Sequence, residues 1–148
     1  AEIHGRVERG PLTVRGQWLV GRVQNSAAIT RANLNTFNGA ELGASRTAVG
    51  SEARSWFLEA GYDVFSLFDR GSWGRLDLFA RYETYDTHAA TAAGVVQTLR
   101  YDRQAMTIGI NYKPQPGIVL KAEYSRRRHE GSVGNRQDFI GLGVGFSF

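Results

Sequence analysis

The sequence predicts an all-β protein built from seven long antiparallel strands. Seven segments of 8 to 15 residues alternate apolar and polar side chains with period two, the pattern of a strand whose two faces meet different surroundings. Short connections with glycine or proline alternate along the chain with longer connections rich in alanine, glycine, serine and threonine. The last strand ends on an aromatic residue, Phe148.

The predicted strands form a single segment that covers residues 1–148. Their bounds are 1–8, 12–24, 54–68, 75–87, 101–113, 118–129 and 136–148. The short turns are 9–11, 69–74 and 114–117, and the long loops are 25–53, 88–100 and 130–135. Short periplasmic turns and longer extracellular loops are typical of bacterial outer-membrane barrels. We therefore expect the short turns on the periplasmic side and the long loops outside.

The final strand has one large apolar face and one small polar face. Ile140, Leu142, Val144, Phe146 and Phe148 share the first face, while glycines dominate the second. This strand resembles the C-terminal strand of outer-membrane β-barrels, whose terminal phenylalanine belongs to the signal read by the barrel assembly machinery. The resemblance implies that Phe146 and Phe148 form that signal.

The other strands repeat this division into two faces, and no charge interrupts the middle of any apolar row. A soluble sandwich or a lipocalin could show the same alternation. Three features favour lipid: strands longer than the five or six residues common in soluble sheets, aromatic residues near the ends of the apolar rows, and the terminal phenylalanine. The sequence therefore predicts an antiparallel transmembrane β-barrel in the outer membrane of a Gram-negative bacterium.

Seven strands are an odd number, whereas bacterial single-chain barrels have an even number with both ends in the periplasm. The first strand runs from outside to periplasm when the connections are counted back from the last strand. The chain is therefore expected to be the C-terminal part of a larger barrel. The alternative is a complete eight-stranded barrel with a structural or adhesive role, whose missing strand is hidden in residues 25–53.

The polar faces supply the predicted lining of a water-filled pore. The residues assigned to it are Arg6, Arg15, Glu59, Asp77, Arg81, Glu83, Lys121, Glu123 and Arg127, with Arg75, Arg103 and Lys113 as further cations. Arginine binds phosphate and carboxylate through two parallel hydrogen bonds. An anion path is one interpretation. The other is a set of Arg–Glu ladders that keep the wall rigid and hydrated.

The densest basic run, residues 126–129, ends the sixth strand on the predicted extracellular side. Arg126 and Arg128 have the parity of the lipid-facing side chains, so contact with lipopolysaccharide phosphates is one hypothesis. A solvated rim is the other.

Several function classes find little support. The chain has no cysteine, which excludes disulfides and cysteine metal sites. The net charge is +4, but arginines are spread over nearly all strands, so we expect no nucleic-acid partner. His88 and Asp86 are the best catalytic pair, yet no motif surrounds them, so no enzyme, metal or cofactor is expected.

Six phrases of the sequence resemble the C-terminal half of the phosphate-selective porin O/P family and its close porin relatives. They are GPLTVRGQW at 10–18, WFLEAGY at 56–62, LFARYETYD at 78–86, IGINYKP at 108–114, IVLKAEY at 118–124 and GFSF at 145–148. The resemblance implies that the chain is the C-terminal part of a 16–18-stranded barrel, which forms a homotrimeric channel in a lipid bilayer with lipopolysaccharide. Passage through it would be passive, for small anionic, phosphate-like solutes.

Overall fold

The computed structural model describes residues 1–35, 47–68, 73–131 and 134–147. These residues form one seven-stranded antiparallel sheet in which the strands lie side by side in chain order. The strands are β1 (Glu2–Arg9), β2 (Leu12–Arg22), β3 (Glu52–Asp63), β4 (Arg75–Ala90), β5 (Asp102–Lys113), β6 (Ile118–His129) and β7 (Arg136–Phe146). One helix, α1 (Ser26–Asn35), and two 3-10 turns (Val64–Leu67 and Leu99–Tyr101) lie in the connections. The predicted all-β, seven-stranded antiparallel architecture is confirmed.

The sheet is open. Within the described ranges, β1 pairs only with β2 and β7 pairs only with β6, so each outer strand has a free edge. None of the described helices is long and apolar enough to cross a membrane.

The connection between β3 and β4 begins earlier than the sequence predicts. β3 ends at Asp63 rather than at residue 68, because the chain turns into the 3-10 helix there. The Ser66 hydroxyl donates to the Asp63 carbonyl at 2.5 Å, and the Leu76 N–H donates to the Asp63 carboxylate at 3.4 Å. Phe65 then packs edge-on against Trp73 and Tyr112, with ring centroids 5.8 and 6.2 Å away. This aromatic cluster lies at the turn end of the sheet.

The long connection after β2 contains a helix that the sequence analysis did not predict. Alanine-rich residues 26–35 form α1, in keeping with the high helix propensity of alanine. Thr30 is buried, and its hydroxyl accepts a hydrogen bond from the Val49 N–H at 2.9 Å. The described part of residues 25–53 thus adds no eighth strand to the sheet, and residues 36–46 lie outside the described ranges.

The sheet has almost no apolar core of its own. Among the described residues, the only buried hydrophobic side chain is Ala105, which is 1% exposed. On β7, Ile140 and Leu142 are 82% and 83% exposed. Most large apolar side chains of the other strands also lie on one uncovered face, which we call the apolar face. The opposite face is called the polar face.

The exposed apolar side chains form a band that crosses the sheet obliquely, as its edge at the turn end shows. On β3 this edge is Tyr62. The row of paired residues that starts at Tyr62 reaches β7 at Leu142. The last apolar side chain of β7 is Phe146, four residues nearer the turn end.

The edge at the loop end shifts by the same amount. The row that starts at Trp56 on β3 reaches β7 at Arg136, whereas the band on β7 begins at Ile140. Both edges therefore move one residue per strand. With a rise of about 3.4 Å per residue and about 4.8 Å between strands, the strands lie about 35° from the perpendicular to the band.

We expect Gly109→Ala to destabilise the centre of the sheet by about 1–3 kcal/mol, the usual cost of overpacking. A Cβ at this position would lie 2.6 Å from the Ala122 carbonyl oxygen and 2.7 Å from Cε1 of Phe79. The urea midpoint of the β-sheet circular dichroism signal in detergent measures the effect. Gly5→Ala is the matched control, because a Cβ there meets no atom within 4 Å. Equal midpoints for the two variants would contradict the packing described for Gly109.

Candidate functional site

The strand register brings all nine predicted lining residues onto the polar face. Arg6, Arg15, Glu59 and Arg81 lie on four consecutive strands in one row of paired residues. The same row continues through Thr107 and Ser125. The remaining predicted residues have the same parity on their strands: they are Asp77, Glu83, Lys121, Glu123 and Arg127.

An ion-pair ladder crosses β2, β3 and β4 on this face. Nε and Nη2 of Arg15 donate to the two carboxylate oxygens of Glu59 at 2.7 and 3.0 Å, a bidentate pair. Nε of Arg81 lies 3.9 Å from Glu59 and 3.6 Å from Glu83. Hydrogen bonds from Arg15 on one side and the charge of Arg81 on the other hold the Glu59 carboxylate in place, and its side chain is only 12% exposed. This part of the polar face matches the ladder interpretation.

A second cluster of charges surrounds Asp77 near the turn end. Its carboxylate accepts hydrogen bonds from Nε of Arg75 at 2.6 Å and from Nζ of Lys113 at 3.0 Å. Arg75 also reaches the Thr13 hydroxyl, two strands away, at 3.5 Å. Cations from β4 and β5 thus share one nearly buried carboxylate.

The polar face is concave at its centre. A groove of about 240 Å³ is lined by side chains of six successive strands, from Arg6 on β1 to Lys121 on β6. Both signs of charge meet in it, together with Asn111 and the ring of Phe79. The groove can therefore hold water and small polar solutes against the sheet.

The polar face becomes smaller and less charged toward β7. Thr107 and Ser125 are buried, and their hydroxyls are 3.0 Å apart in a hydrogen bond. On β7, the polar face carries Gly141, Gly143 and Gly145. The side chains of Glu123 and Val119 pack against Gly141 and Gly145, whereas Gly143 leaves open space beside Lys121.

Three phenylalanines on the polar face were missed by the sequence analysis. They are Phe57, Phe79 and Phe139, which alternate with the polar residues of their strands. The guanidinium of Arg81 lies over the ring of Phe57, with its carbon 6.0 Å from the centroid, and that of Arg127 lies over Phe139 at 4.7 Å. The available signal was the adjacent apolar pairs Trp-Phe, Leu-Phe and Phe-Ile, each of which puts one apolar residue on the wrong face for strict alternation.

Arg126 and Arg128 lie at the loop end of β6 with the parity of the apolar face. Arg126 donates to the Asp138 carboxylate at 3.0 Å and to the Tyr124 hydroxyl at 2.9 Å. Arg136 holds the same Asp138 carboxylate at 2.9 Å. Arg126 is therefore engaged within the sheet, while Arg128 is exposed.

Of the predicted assembly signal, Phe146 and Phe148, the structure describes only Phe146. Phe146 lies on the apolar face and is exposed. Phe148 lies outside the described residues.

His88, the histidine considered for catalysis, is held in place by hydrogen bonds and ring packing. The Asp86 carboxylate accepts the backbone N–H of His88 at 2.7 Å, and Nε2 of the buried His88 ring donates to the Ala48 carbonyl at 2.9 Å. The ring also packs on Tyr101, with centroids 4.4 Å apart. In the described part of the chain, no three His, Asp or Glu side chains are grouped to hold a metal ion.

Comparison with known proteins gives one informative similarity. The chain is similar to an uncharacterized protein of Aquifex aeolicus, with 33% identity over 82 residues. The matched segment covers 55% of this chain but only 18% of that protein, which is thus about three times as long as this chain. No model of a protein family matches the chain, and no solved structure matches it.

We expect Glu59→Gln to destabilise the sheet by about 1–3 kcal/mol, because it leaves two arginines beside a neutral amide and removes a charge-assisted pair. Glu8→Gln is the matched control, since Glu8 pairs with Arg6 where both side chains are more than half exposed. Exposed pairs contribute about 0–1 kcal/mol. Urea unfolding in detergent measures the loss in free energy of unfolding for each of the two variants. A cost for Glu8→Gln as large as that for Glu59→Gln would contradict the ladder.

Proposed function

We propose that this sheet forms part of the wall of a β-barrel in the outer membrane of a Gram-negative bacterium. Its polar face would line a water-filled channel for the passive diffusion of small anionic, phosphate-like solutes. The observation that carries the proposal is the uncovered apolar face, on which large side chains are exposed along all seven strands. Soluble monomers rarely expose contiguous apolar patches larger than a few hundred Å². Lipid is the medium in which such a face is stable.

The apolar band has the direction of a membrane-spanning band and, on its longest strand, nearly the height. Eight residue steps separate Leu12 from Val20 on β2 and six separate Ile140 from Phe146 on β7, and at a tilt of about 35° these correspond to heights of about 22 and 17 Å. Outer-membrane barrels carry an apolar band about 25 Å tall on strands tilted about 35–45°. The oblique course of the band supports a tilt of about 35°, because a band that crosses the rows of paired residues obliquely becomes level once the strands are tilted.

The two edges of the band also match the two interfaces of a bilayer. Phe65, Trp73 and Tyr112 cluster at the turn end. Aromatic rings are enriched at membrane interfaces. At the loop end, Arg126 and Arg128 stand beside the band, which supports contact with lipopolysaccharide phosphates through Arg128, the more exposed of the two.

The free edges of β1 and β7 favour a larger barrel. Unpaired N–H and C=O groups are too costly to expose in a bilayer, so further strands must pair with these edges. The Aquifex aeolicus protein, about three times as long as this chain, would have room for the 16–18 strands of a large barrel. Gly143 of β7 leaves space, as a wide pore does. The alternative remains a closed eight-stranded barrel with a structural or adhesive role.

Cations outside the ladder support anions as the solutes. Lys121 and Arg127 project from the polar face of β6, and neither forms an ion pair with any described residue. They are six residues apart, or about 20 Å along the strand. Two unpaired cations at different depths of one wall favour anions along the path.

We expect Leu142→Glu to impair insertion, with a cost of about 1–2 kcal/mol for a carboxylate in the middle of a lipid-facing band. Gly143→Glu is the matched control on the neighbouring residue. A Cβ at position 143 faces the polar side, 3.8 Å from Cβ of Lys121. The yield of the folded, heat-modifiable form in lipid vesicles measures the difference. Equal yields would contradict a lipid-facing role for the apolar face.

We expect Lys121→Glu to shift the reversal potential of the channel toward cation selectivity, because it changes the charge of the lining by two. The measurement uses the protein extracted from the outer membrane, in planar bilayers under a KCl gradient. Arg9→Glu makes the same change of charge on the other face and should leave the reversal potential within error. If wild type shows no conductance, the channel proposal is wrong. A denatured mass equal to this chain alone would contradict the large barrel.

A further inference from the structure

A cluster of cations lies at the loop end of the polar face, away from the central groove. Its cavity has a volume of about 100 Å³ and is lined by residues of β4, β5, β6, β7 and the connections beside them, among them Tyr85, Arg100, Arg103, Arg127 and His129. We call this the mouth cluster. Arg128, proposed above to contact lipopolysaccharide, also borders the cavity, but it has the parity of the apolar face.

The positive charge of the mouth cluster is not compensated. No described carboxylate forms an ion pair with Arg100, Arg103 or Arg127. The acids paired at the same end, Asp86 and Asp102, have the opposite parity and lie toward the other face. Glu83, the nearest acid in the same rows, is 3.6 Å from Nε of Arg81. The cluster therefore attracts anions.

Two of the guanidiniums are held on aromatic rings. The carbon of the Arg127 guanidinium lies 4.7 Å from the Phe139 centroid, and that of Arg103 lies 5.9 Å from the Tyr85 centroid. A guanidinium that covers a ring with its face keeps its in-plane N–H groups free for a ligand. Nε of Arg103 is further fixed on the Arg100 carbonyl at 3.3 Å. Less side-chain entropy is therefore lost when an anion binds.

His129 adds a neutral donor. Its Nδ1 accepts a hydrogen bond from the Gly131 N–H at 3.1 Å, so the proton of the neutral imidazole is on Nε2. The Nε2–H can then donate to an anion held by the arginines.

Phe139 does not line the cavity itself, but it lies beside it, under the guanidinium of Arg127, and adds an apolar element at its edge. It is 43% exposed on a face that is otherwise polar or small along β7. Inorganic phosphate gains nothing from an exposed ring, whereas an organic anion with its own ring gains apolar and aromatic contact. A planar carboxylate also matches the fork of a guanidinium.

We propose that the mouth cluster binds small carboxylates that carry an aromatic ring. The carboxylate is held by Arg127 and Arg103, and the ring packs beside Phe139. This inference deepens the proposed function, since it rests on the polar face being open to solutes at the loop end. It adds a class of organic anion to the phosphate-like solutes proposed above.

The test is ligand-observed NMR on the full protein in detergent, with benzoate, acetate and inorganic phosphate as probes. Benzoate should bind more tightly than acetate and phosphate. Phe139→Leu should weaken benzoate about two- to fivefold more than it weakens acetate and phosphate, which lose only the ring that holds Arg127. Arg127→Gln should weaken all three about tenfold. Arg136→Gln, on the other face at the same end of the sheet, should change none of them.

Two results would overturn the proposal. Equal binding of benzoate and acetate, unaffected by Phe139→Leu, removes the role of the ring. An unchanged affinity in Arg127→Gln removes the site. Heat-modifiable gel mobility shows that each variant is folded.

Conductance on the same preparations separates the two proposals. Anion-selective conductance without benzoate binding overturns the site and leaves the channel. Benzoate binding without conductance supports the site and overturns the channel.

Discussion

The whole architecture depends on an apolar face that the described part of the chain does not cover. Period-two alternation places most large aliphatic side chains of the strands on one face, and no second layer of the described chain packs there. In water this arrangement would be unfavourable, since each such side chain stabilises a fold by about 1.5–3 kcal/mol only when it is buried. The surroundings must therefore supply the apolar contacts that a globular protein supplies from its own core.

The polar face supplies the side-chain contacts that a sheet without an apolar core needs between its strands. With no apolar core, specificity between strands must come from backbone pairing and from cross-strand side-chain contacts. The bidentate Arg15–Glu59 pair and the Thr107–Ser125 hydrogen bond are two such contacts. The ladder satisfies charges on β2, β3 and β4, and the cations of β6 stay available. The polar face thus combines an ion-paired part with a part whose cations form no ion pair with a described residue.

The two ends of the sheet differ in chemistry. Aromatic rings gather at the turn end, while Arg126, Asp138 and Arg136 form a charged network at the loop end of the apolar face. His88 joins the chain near Ala48 to the end of β4, so the longer connections pack on one another. The two ends of the strands therefore differ in chemistry, with aromatic rings at the turn end and charged side chains at the loop end.

Alternation in the sequence determined the strands and the face of each side chain, because successive side chains of a strand must point to opposite sides. β6 is placed at its predicted bounds for that reason. Local pattern could not determine the end of β3, the helix α1 or the role of Phe139. Asp63 ends β3 through a hydrogen bond from Leu76, 13 residues away, and Phe139 meets Arg127 only across the β6–β7 pairing. The oblique band likewise depends on register, which only the tertiary structure decides, since pairing partners are set by contacts between distant residues.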